Sequence, residues 1–541
     1  MRERFFEALS EKSTRLGLLA VSGILTAFTL VNSDLGLLQW ITMIPLGLVL
    51  ISMASDEKIR FRQLYGYGLF FFMCFYVVVY HWFIYLFPLD FVDGMSPVGA
   101  LVVVLAGVFG LSLLQAVTAA LVFFVFGILC RGRTAKRCPI LIPFFAAGLW
   151  VILEWSQTIG WIGVPWGRLA IGQTRNVIGI QTASLFGSYF ITFLIVAVNF
   201  LIAFGIFRLD SIDKEKALRL PIILSACLLV FQYGAGALIY SLNAGCKEKD
   251  SVRVAAIQPN ISSNEKWSVA MSQKTFECCE KYTAAAVNAG AEIVLWPESA
   301  IPYSLEEGKM AKDFVSGLAK KYNVTIIAGG FMNAQEDAEY NALVCFLPNG
   351  EALEDFYAKR HLVPFGEYIP MRSLFTALIP PLTQLVLGGY LLEAGEGAQI
   401  IEIDGLKVGS LICFDSIYET LSLESISEGA EVIFLATNDS WFTYSAALEM
   451  HNAQAQLRAV ETGRYVVRAA NTGISSVITS KGDVTDSLGA LKGGFVIDDI
   501  YPTSTRTLYS YIGNSFVYIV ILLVLTTAFC DNFIRKTMKK H

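Results

Sequence analysis

Charged residues are scarce in this chain. Asp, Glu, Lys and Arg make up 16% of its 541 residues, against roughly a quarter in an average soluble protein. Histidine is rarer still, with four residues, and the ten cysteines include no CxxC pair. These shortages argue against a fully soluble protein and against a metal site of the zinc type. No basic face with interleaved aromatic residues occurs either, so we expect no nucleic acid partner.

Long apolar runs take the place of the missing charges. Hydrophobic residues make up 55% of the chain, and 38 residues are phenylalanine. An apolar run of about 20 residues is long enough to cross the hydrocarbon core of a membrane. We therefore expect a multi-span α-helical bundle of about eight transmembrane helices, at 15–32, 35–54, 64–87, 97–130, 138–157, 177–206, 220–240 and 507–530.

The distribution of Lys and Arg between these runs predicts an orientation. Short loops rich in Lys and Arg stay in the cytoplasm. The basic segments are the N-terminus, the loops 55–63, 131–137 and 207–219, and the C-terminal tail. They alternate with loops that have few basic residues, which predicts both termini in the cytoplasm and residues 241–506 in the periplasm of a two-membrane bacterium. The loop 158–176 departs from this rule, because it carries Arg168 and Arg175; it is expected to be either a headgroup contact or an ordinary surface loop.

Three predicted spans contain polar side chains that are costly in lipid. These are His81, Gln115 and Glu154. An ionisable residue inside a membrane is by default a candidate functional group. Hydrogen bonds between helices are the structural alternative, and the sequence leaves both open.

From Val252 onward the pattern changes to short β-like runs separated by helical stretches, which is typical of an α/β domain. Several of the runs are apolar on both faces, so we expect helices to cover a sheet or two sheets to pack together. Strands are predicted at 252–258, 292–298, 325–330, 342–347, 406–414, 432–438 and 465–471. Helices are predicted at 267–289, 308–322, 417–428 and 446–463.

Two predicted strands end in reactive residues, Glu298 and Cys413, and a third reactive residue, Lys359, lies in the segment YAKR that leads into HLVPFGE. Residues at strand ends converge on one crevice in sheet proteins. A cysteine between a strand and a helix N-terminus is expected to gain thiolate character. A buried glutamate could accept the thiol proton, and a lysine could stabilise an oxyanion. Each residue alone is more often structural: a core cysteine, a turn carboxylate or a surface lysine.

Taken together and in this order, the three residues resemble the Glu-Lys-Cys triad of the nitrilase superfamily. The wider sequence resembles its membrane-embedded branch, the apolipoprotein N-acyltransferases. The segments that carry this resemblance are KRHLVPFGEYIP (359–370), ATNDSWF (436–442) and HNAQAQLRAVETGRYVVRAANTGISSV (451–477). The order of membrane helices before the domain and one after it also matches. The resemblance implies a nitrilase-like αββα sandwich.

The resemblance also implies roles for individual residues. Glu298 stands at the position of the general base, Lys359 at that of the lysine and Cys413 at that of the nucleophile. Glu367 matches a second glutamate that supports the lysine. The remaining supporting or substrate-binding positions are Trp267, Asn438, Trp441 and Asp415. Where family members commonly have Cys-Tyr-Glu, this chain has Cys413-Phe414-Asp415.

The reaction that the resemblance implies is acyl transfer in two steps. Cys413 would take a fatty acyl chain from a membrane phospholipid as a thioester, and the α-amino group of an apolipoprotein's diacylglyceryl-cysteine would then receive it. No cofactor and no metal are implied, and the location is the bacterial inner membrane. Residues 1–245 would form the membrane domain, 246–505 the periplasmic catalytic domain, and 506–541 the last span with a cytoplasmic tail.

Two alternatives belong to other functional classes. A membrane-tethered nitrilase-type amidase would use the same triad on a small soluble amide. The apolar segment 369–388, predicted to be a lid dipping into the bilayer surface, argues against a soluble substrate. A transporter with an accessory domain is the non-enzymatic alternative. Transporters commonly show matching halves with broken helices, and no such duplication is visible here.

The predicted topology can be tested with two reporter fusions. A reporter inserted within 241–250 should be active only outside the cytoplasm, and one fused after Lys540 only inside, because one crossing separates them. Activity of both reporters in the same compartment would contradict the predicted span at 507–530.

Overall fold

The computed structural model describes residues 7–89, 95–161, 163–210, 214–242, 249–262, 269–306, 308–334, 338–373, 377 and 391–538. The chain separates into two compact units. The membrane unit comprises Met1–Ile84, Val103–Leu242 and Ile512–His541, and the sheet unit comprises Tyr85–Val102 and Asn243–Tyr511. The functional division at 1–245, 246–505 and 506–541 stays a prediction.

The membrane unit is built from apolar helices. Seven helical segments among the described residues are long and apolar enough to cross a membrane: Lys12–Val31, Ser33–Ser55, Phe61–Val79, Pro97–Cys130, Pro139–Ser156, Ser188–Phe207 and Leu218–Leu242. Within the composite segments the α-helices are Gln39–Thr42, Ile44–Ser55, Pro97–Ala119, Leu121–Cys130, Ile142–Ser156 and Lys214–Leu242, and a short helix Arg133–Arg137 occupies a basic loop. The predicted multi-span helical bundle is confirmed.

The predicted span at 177–206 is wrong in its first part. The chain forms two four-residue helices, Val177–Ile180 and Ala183–Phe186, before the long helix begins at Ser188. Gly187, with a φ of 77°, separates the second short helix from the long one. This left-handed conformation interrupts a helix and suits glycine. Apolar composition is the same on both sides of the break, so hydropathy did not reveal it.

The region of the last predicted span contains two helices, Leu508–Ile512 and Ser515–Met538. Gly513, with a φ of 51°, lies between them. The apolar part of the second helix among the described residues, Ser515–Asp531, is shorter than the seven segments above. The eighth crossing therefore stays a prediction.

The polar residues within the apolar helices make hydrogen bonds inside the membrane unit. Gln157 Nε2 donates to Gln115 Oε1 at 2.9 Å. Glu154 accepts from the Leu169 backbone N–H at 2.8 Å and from Thr192 Oγ1 at 2.7 Å. Bonds of this kind hold membrane helices together, so the structural alternative is favoured for Gln115 and Glu154.

Arg168 lies inside the membrane unit. Its side chain donates to Ser188 Oγ and to Tyr189 OH, each at 3.0 Å, and the residue is 1% exposed. For Arg168, both expectations, a headgroup contact and a surface loop, are wrong. Arg175 fits a surface loop, because it pairs with exposed Asp34 at 3.2 Å.

The described residues of the sheet unit form two β-sheets. The strands are β1 Val252–Gln258, β2 Ile293–Leu295, β3 Thr325–Asn333, β4 Ala338–Phe346, β5 Ala352–Ala358, β6 Leu391–Leu392, β7 Ile400–Ile403, β8 Leu406–Ile412, β9 Val432–Thr437, β10 Val466–Ala470, β11 Ser475–Ile478, β12 Val484–Leu488 and β13 Gly494–Ile500. Sheet A has the strand order β13-β1-β2-β3-β4-β5, with β6 paired to β4, and sheet B has the order β12-β11-β10-β9-β8-β7.

The two sheets pack face to face, and helices cover their outer faces. Val254 and Leu343 of sheet A share one buried core with Phe434 and Val467 of sheet B. The helices Val269–Asn288 and Met310–Tyr322 pack on the other face of sheet A, and Glu419–Ser427 and Ala447–Thr462 pack on sheet B. The predicted αββα sandwich is confirmed.

All seven predicted strands and all four predicted helices of this unit are present, but six strands among the described residues were not predicted. These are β5, β6, β7, β11, β12 and β13. Four of them, β5, β7, β12 and β13, lie at the edges of their sheets. An edge strand has one solvated side, and its sequence is correspondingly polar, as in ALEDFYA and VTDSL. The apolar pattern that marks a central strand is therefore missing.

The predicted lid at 369–388 lies largely outside the described residues, which omit 374–376 and 378–390. The lid stays a prediction.

Strand β3 passes very close to the turn that carries Glu298. The Trp296 N–H donates to the Ile327 carbonyl at 2.8 Å, and the Ile301 N–H donates to the Gly329 carbonyl at 3.1 Å. A Cβ atom at Gly329 would meet the Pro297 carbonyl oxygen, and would lie 3.0 Å from the Glu298 Cα. Only glycine leaves enough space for this approach.

We expect Gly329→Ala to destabilise the sheet unit by about 1–3 kcal/mol, because overpacking a filled site costs that much. Thermal unfolding of the purified protein in detergent measures the change. Gly317 is the matched control, since it lies on the exposed face of helix Met310–Tyr322 with no atom within 4 Å of an added Cβ. Gly317→Ala should stabilise the helix by about 1 kcal/mol. Equal effects of the two substitutions would contradict the close approach.

Candidate active site

Cys413 directly follows β8 and begins a five-residue 3-10 turn, Cys413–Ile417. Its backbone has a φ of 50°. This left-handed conformation is uncommon for a residue with a side chain, and such strain is concentrated at functional sites. The chain changes direction here between sheet B and the helix Glu419–Ser427, so the turn sets the direction of the thiol.

Glu298 lies three residues beyond β2 and is 5% exposed. Its Oε1 accepts hydrogen bonds from Lys359 Nζ at 2.9 Å and from Asn341 Nδ2 at 2.8 Å. Its Oε2 accepts from the backbone N–H of Asn438 at 2.9 Å. Three donors therefore fix both oxygens of this carboxylate.

Lys359 follows the last residue of β5 and is 1% exposed. Its Nζ lies 2.9 Å from Glu298 Oε1 and 2.8 Å from Glu367 Oε1. The second oxygen of Glu367 accepts from the Val363 N–H at 2.7 Å, which holds that carboxylate in place. Burial alone would lower the pKa of Lys359, but the two carboxylates raise that pKa above its ordinary value. The ammonium group therefore keeps its charge.

Glu298 and Lys359 both interact electrostatically with the Cys413 thiol. Burial and the Glu298 carboxylate raise its pKa well above the ordinary value, and Lys359 opposes that rise. The direction is opposite to the sequence expectation of an acidic thiol. The reason is burial, which penalises the charged thiolate, and the Glu298 carboxylate adds to this penalty. This direction favours the protonated form of the thiol.

Asp415 ties the Lys359 segment to the Cys413 turn. Its Oδ2 accepts from Tyr357 OH at 3.0 Å, and its Oδ1 accepts from the His361 N–H at 2.8 Å. Tyr357 and His361 lie two residues before and two residues after Lys359. Burial raises the pKa of Asp415 to about 6, although Lys359 and these hydrogen bonds lower it. Its Oδ2 also accepts from the Ile412 N–H at 3.1 Å, so this shorter side chain reaches β5, the segment after β5, and β8.

The other predicted supporting residues have different placements. Asn438 holds Glu298 through its backbone, and its side-chain oxygen accepts from Asn471 Nδ2 at 2.8 Å. Trp441 lies in the 3-10 turn Ser440–Phe442, three residues beyond Asn438. Trp267 lies outside the described residues. The roles of all three stay predictions.

Asn341 was not among the predicted site residues. It lies on β4, is 2% exposed, and donates to Glu298, while its carbonyl accepts from the Lys359 N–H at 2.8 Å. A buried Asn inside an otherwise apolar strand is a weak signal that could have suggested it. Three further polar residues behind Cys413 were also missed: Asp439, His451 and Arg468.

Two family models match different parts of this chain. Residues 253–519 match the carbon-nitrogen hydrolase family model, and residues 22–201 match that of the apolipoprotein N-acyltransferase N-terminal domain. A crystal structure of Nit3 from Saccharomyces cerevisiae, a member of branch 10 of the nitrilase superfamily, covers 49% of this chain and 94% of its own, with 20% identity and a TM-score of 0.37.

Two relatives align with nearly the whole chain. The apolipoprotein N-acyltransferase of Geobacter metallireducens is 30% identical over 524 residues, which is 95% of this chain and 94% of that protein. That of Gloeobacter violaceus is 29% identical over 530 residues, 97% of this chain and 96% of that protein. Since the match extends through both units, the chain belongs to the apolipoprotein N-acyltransferase family.

Proposed function

We propose that this protein transfers a fatty acyl chain from a membrane phospholipid to the α-amino group of the N-terminal diacylglyceryl-cysteine of apolipoproteins. The acyl chain passes through a thioester on Cys413. The observation that carries the proposal is the buried Glu298–Lys359–Glu367 cluster, whose charges act on the Cys413 thiol. Acyl transfer needs a nucleophile, a base and a stabiliser of negative charge, and this cluster contains all three.

In the first step the Cys413 sulfur attacks the ester carbonyl carbon while Glu298 accepts the thiol proton. The oxyanion that forms is stabilised by the Lys359 ammonium group, whose charge the two carboxylates maintain. The carbon–oxygen bond then breaks, and the lysophospholipid alkoxide takes the proton from Glu298. The thioester and the free lysophospholipid are the products.

In the second step the free α-amino group attacks the thioester carbonyl. Glu298 accepts a proton from the attacking nitrogen, and the carbon–sulfur bond breaks. The departing sulfur recovers that proton, which restores the thiol and leaves an amide on the apolipoprotein. No cofactor takes part in either step as proposed.

The protein is a multi-pass membrane protein. We place it in the inner membrane of a bacterium with the catalytic domain, residues 246–505, on the periplasmic side. The support is the alternation of basic loops and the need of a lipid-using enzyme to reach the bilayer. Acyl chains do not leave the membrane without a large cost, roughly 0.8 kcal/mol per CH₂ group.

The family match favours acyl transfer over the two alternatives. A nitrilase-type amidase shares the Glu-Lys-Cys site, but the N-terminal match at 22–201 is to the acyltransferase family model. A transporter would not need a strained cysteine next to a buried lysine and two carboxylates.

The thioester is tested with labelled phospholipid and purified protein in vesicles. We expect a hydroxylamine-sensitive labelled adduct on the wild type, and none on Cys413→Ala, because the nucleophile is gone. Adding a synthetic diacylglyceryl lipopeptide should move the label to an amide on the peptide. Release of the labelled acyl chain only as free fatty acid would indicate a hydrolase and overturn the proposed transfer.

Cys345 is the matched control for that experiment. It lies on β4, is fully buried, and has a pKa raised to about 12 by burial. Cys345→Ala should form the adduct at the normal rate and lower only the stability. Label on Cys413→Ala protein, or its loss on Cys345→Ala protein, would contradict the assignment of the nucleophile.

Glu298→Gln should slow thioester formation by at least about 10²-fold, the usual contribution of a general base. Lys359→Ala should slow it by roughly 10²–10³-fold, the usual cost of removing one oxyanion donor. Alkylation of Cys413 by iodoacetamide needs no acyl substrate, and Glu298→Gln should slow it as well, because the thiol proton has lost its acceptor. The controls are Glu354→Gln and Lys320→Ala, which change exposed residues of the same unit. Normal turnover in either site variant would remove that residue from the mechanism.

A further inference from the structure

The backbone carbonyl of Cys413 has two side-chain neighbours that the reaction scheme does not use. Ser416 Oγ donates to this oxygen at 2.8 Å, and His451 Nε2 lies 3.1 Å from it. The two side chains also contact each other, with 3.0 Å between Ser416 Oγ and His451 Nε2. A carbonyl oxygen can only accept, so His451 Nε2 is the donor in its contact. Ser416 and His451 therefore fix the carbonyl group of the strained turn.

His451 is itself fixed by a buried ion cluster. Its Nδ1 lies 2.9 Å from Asp439 Oδ1, and Arg468 Nη2 lies 2.5 Å from Asp439 Oδ2. Arg468 also donates through Nε to the Ile474 carbonyl at 3.0 Å. His451, Asp439 and Arg468 are each at most 1% exposed.

The charge of Asp439 is secured within this cluster. Burial by itself would raise the pKa of Asp439, but Arg468 and His451 hold it below the ordinary value. Thr437 Oγ1 donates to Asp439 Oδ1 at 2.7 Å as well. The imidazole therefore faces a fixed negative charge on one side and the Cys413 carbonyl on the other.

The four residues that form this arrangement come from different elements. Ser416 lies in the turn after β8, Asp439 follows β9, His451 lies on the helix Ala447–Thr462, and Arg468 lies on β10. They carry no proton or acyl group in the proposed reaction. Ser416 and His451 contact the Cys413 carbonyl directly, and Asp439 and Arg468 lie behind His451.

Fixing the Cys413 carbonyl also fixes the rest of the Cys413–Phe414 peptide group. A trans peptide is planar, and its N–H points opposite to its C=O. The direction of the Phe414 N–H is therefore set by the direction of the Cys413 carbonyl. Phe414 N–H is the backbone donor that directly follows the thiol in the chain, so its direction decides whether it can serve a carbonyl oxygen bound at the sulfur.

We propose that His451 is a positioning residue, which with Ser416 orients the Cys413–Phe414 peptide for attack by the Cys413 sulfur. The inference rests on the proposed role of Cys413 as nucleophile. Asp439 and Arg468 contribute by holding the His451 imidazole in place. Loss of the His451 donor lets the peptide rotate, and both the sulfur and the Phe414 N–H leave their reactive directions.

The test is a single-turnover measurement of thioester formation in vesicles of labelled phospholipid. Its amplitude gives the fraction of active protein, and its rate constant reports the geometry of those active sites. We expect His451→Leu to lower the rate constant by about 10²-fold, as small misplacements of reacting groups do. His451→Gln places an amide N–H near the Nε2 position and should recover about tenfold of that loss.

Asn452 provides the matched control. It is the next residue of the same helix, is 6% exposed, and accepts from Ser476 Oγ at 2.8 Å. Asn452→Ala removes one buried hydrogen bond without touching the Cys413 turn. It should lower the melting temperature and leave the rate constant unchanged.

The outcomes separate the two proposals. A wild-type protein that forms no thioester overturns the proposed function, and this inference with it. A wild type that forms the thioester, with a normal rate constant and only a smaller amplitude in His451→Leu, shows a purely structural residue and overturns this inference alone. Where His451→Leu does not fold, Ser416→Ala decides: a rate constant about tenfold lower supports the positioning role, and an unchanged one overturns it.

Discussion

Lys359 brings an ammonium group into a part of the sheet unit from which water is almost excluded, and two carboxylates compensate its charge. Glu298 and Glu367 each lie within 3 Å of its Nζ. Leaving a buried charge without its partner costs roughly 3–5 kcal/mol. Loss of any one of the three residues therefore destabilises the other two. Burial and the Glu298 carboxylate raise the pKa of the Cys413 thiol, and the Lys359 ammonium group opposes that rise.

This cluster explains why two sheets are needed. Glu298 and Lys359 follow strands of sheet A, and Cys413 and Asn438 follow strands of sheet B. The shared apolar core between the sheets fixes the distance between these strand ends. Close packing in that core, including the approach of β3 at Gly329, therefore determines where the Glu298 carboxylate lies. The site is therefore a product of the sandwich as a whole.

The sequence predicted the reactive residues of the candidate site, but it did not reveal the buried polar residues that hold them in place. Glu298, Lys359 and Cys413 follow strongly apolar runs or motifs, and the structure brings them together. Asn341 and His451 were missed because each belongs to an element whose pattern is otherwise ordinary, and their partners lie 43 and 38 positions away in the chain. The predicted thiolate character of Cys413 is opposite to the raised pKa, because the prediction considered the helix dipole and left out burial. Breaks such as Gly187 were missed because hydropathy averages across a single residue.

Strand β5 lies at the edge of sheet A and, among the described strands, pairs with β4 alone. Lys359 is the next residue, and its carbonyl accepts from the Gly395 N–H at 2.8 Å while Asp415 holds the chain beyond it. Edges of sheets open locally with lower free energies than central strands do. Warming should therefore separate the ammonium group from Glu298 while the core between the sheets remains intact. The protein would lose activity at a temperature below the one at which its sandwich unfolds, and cooling would restore that activity.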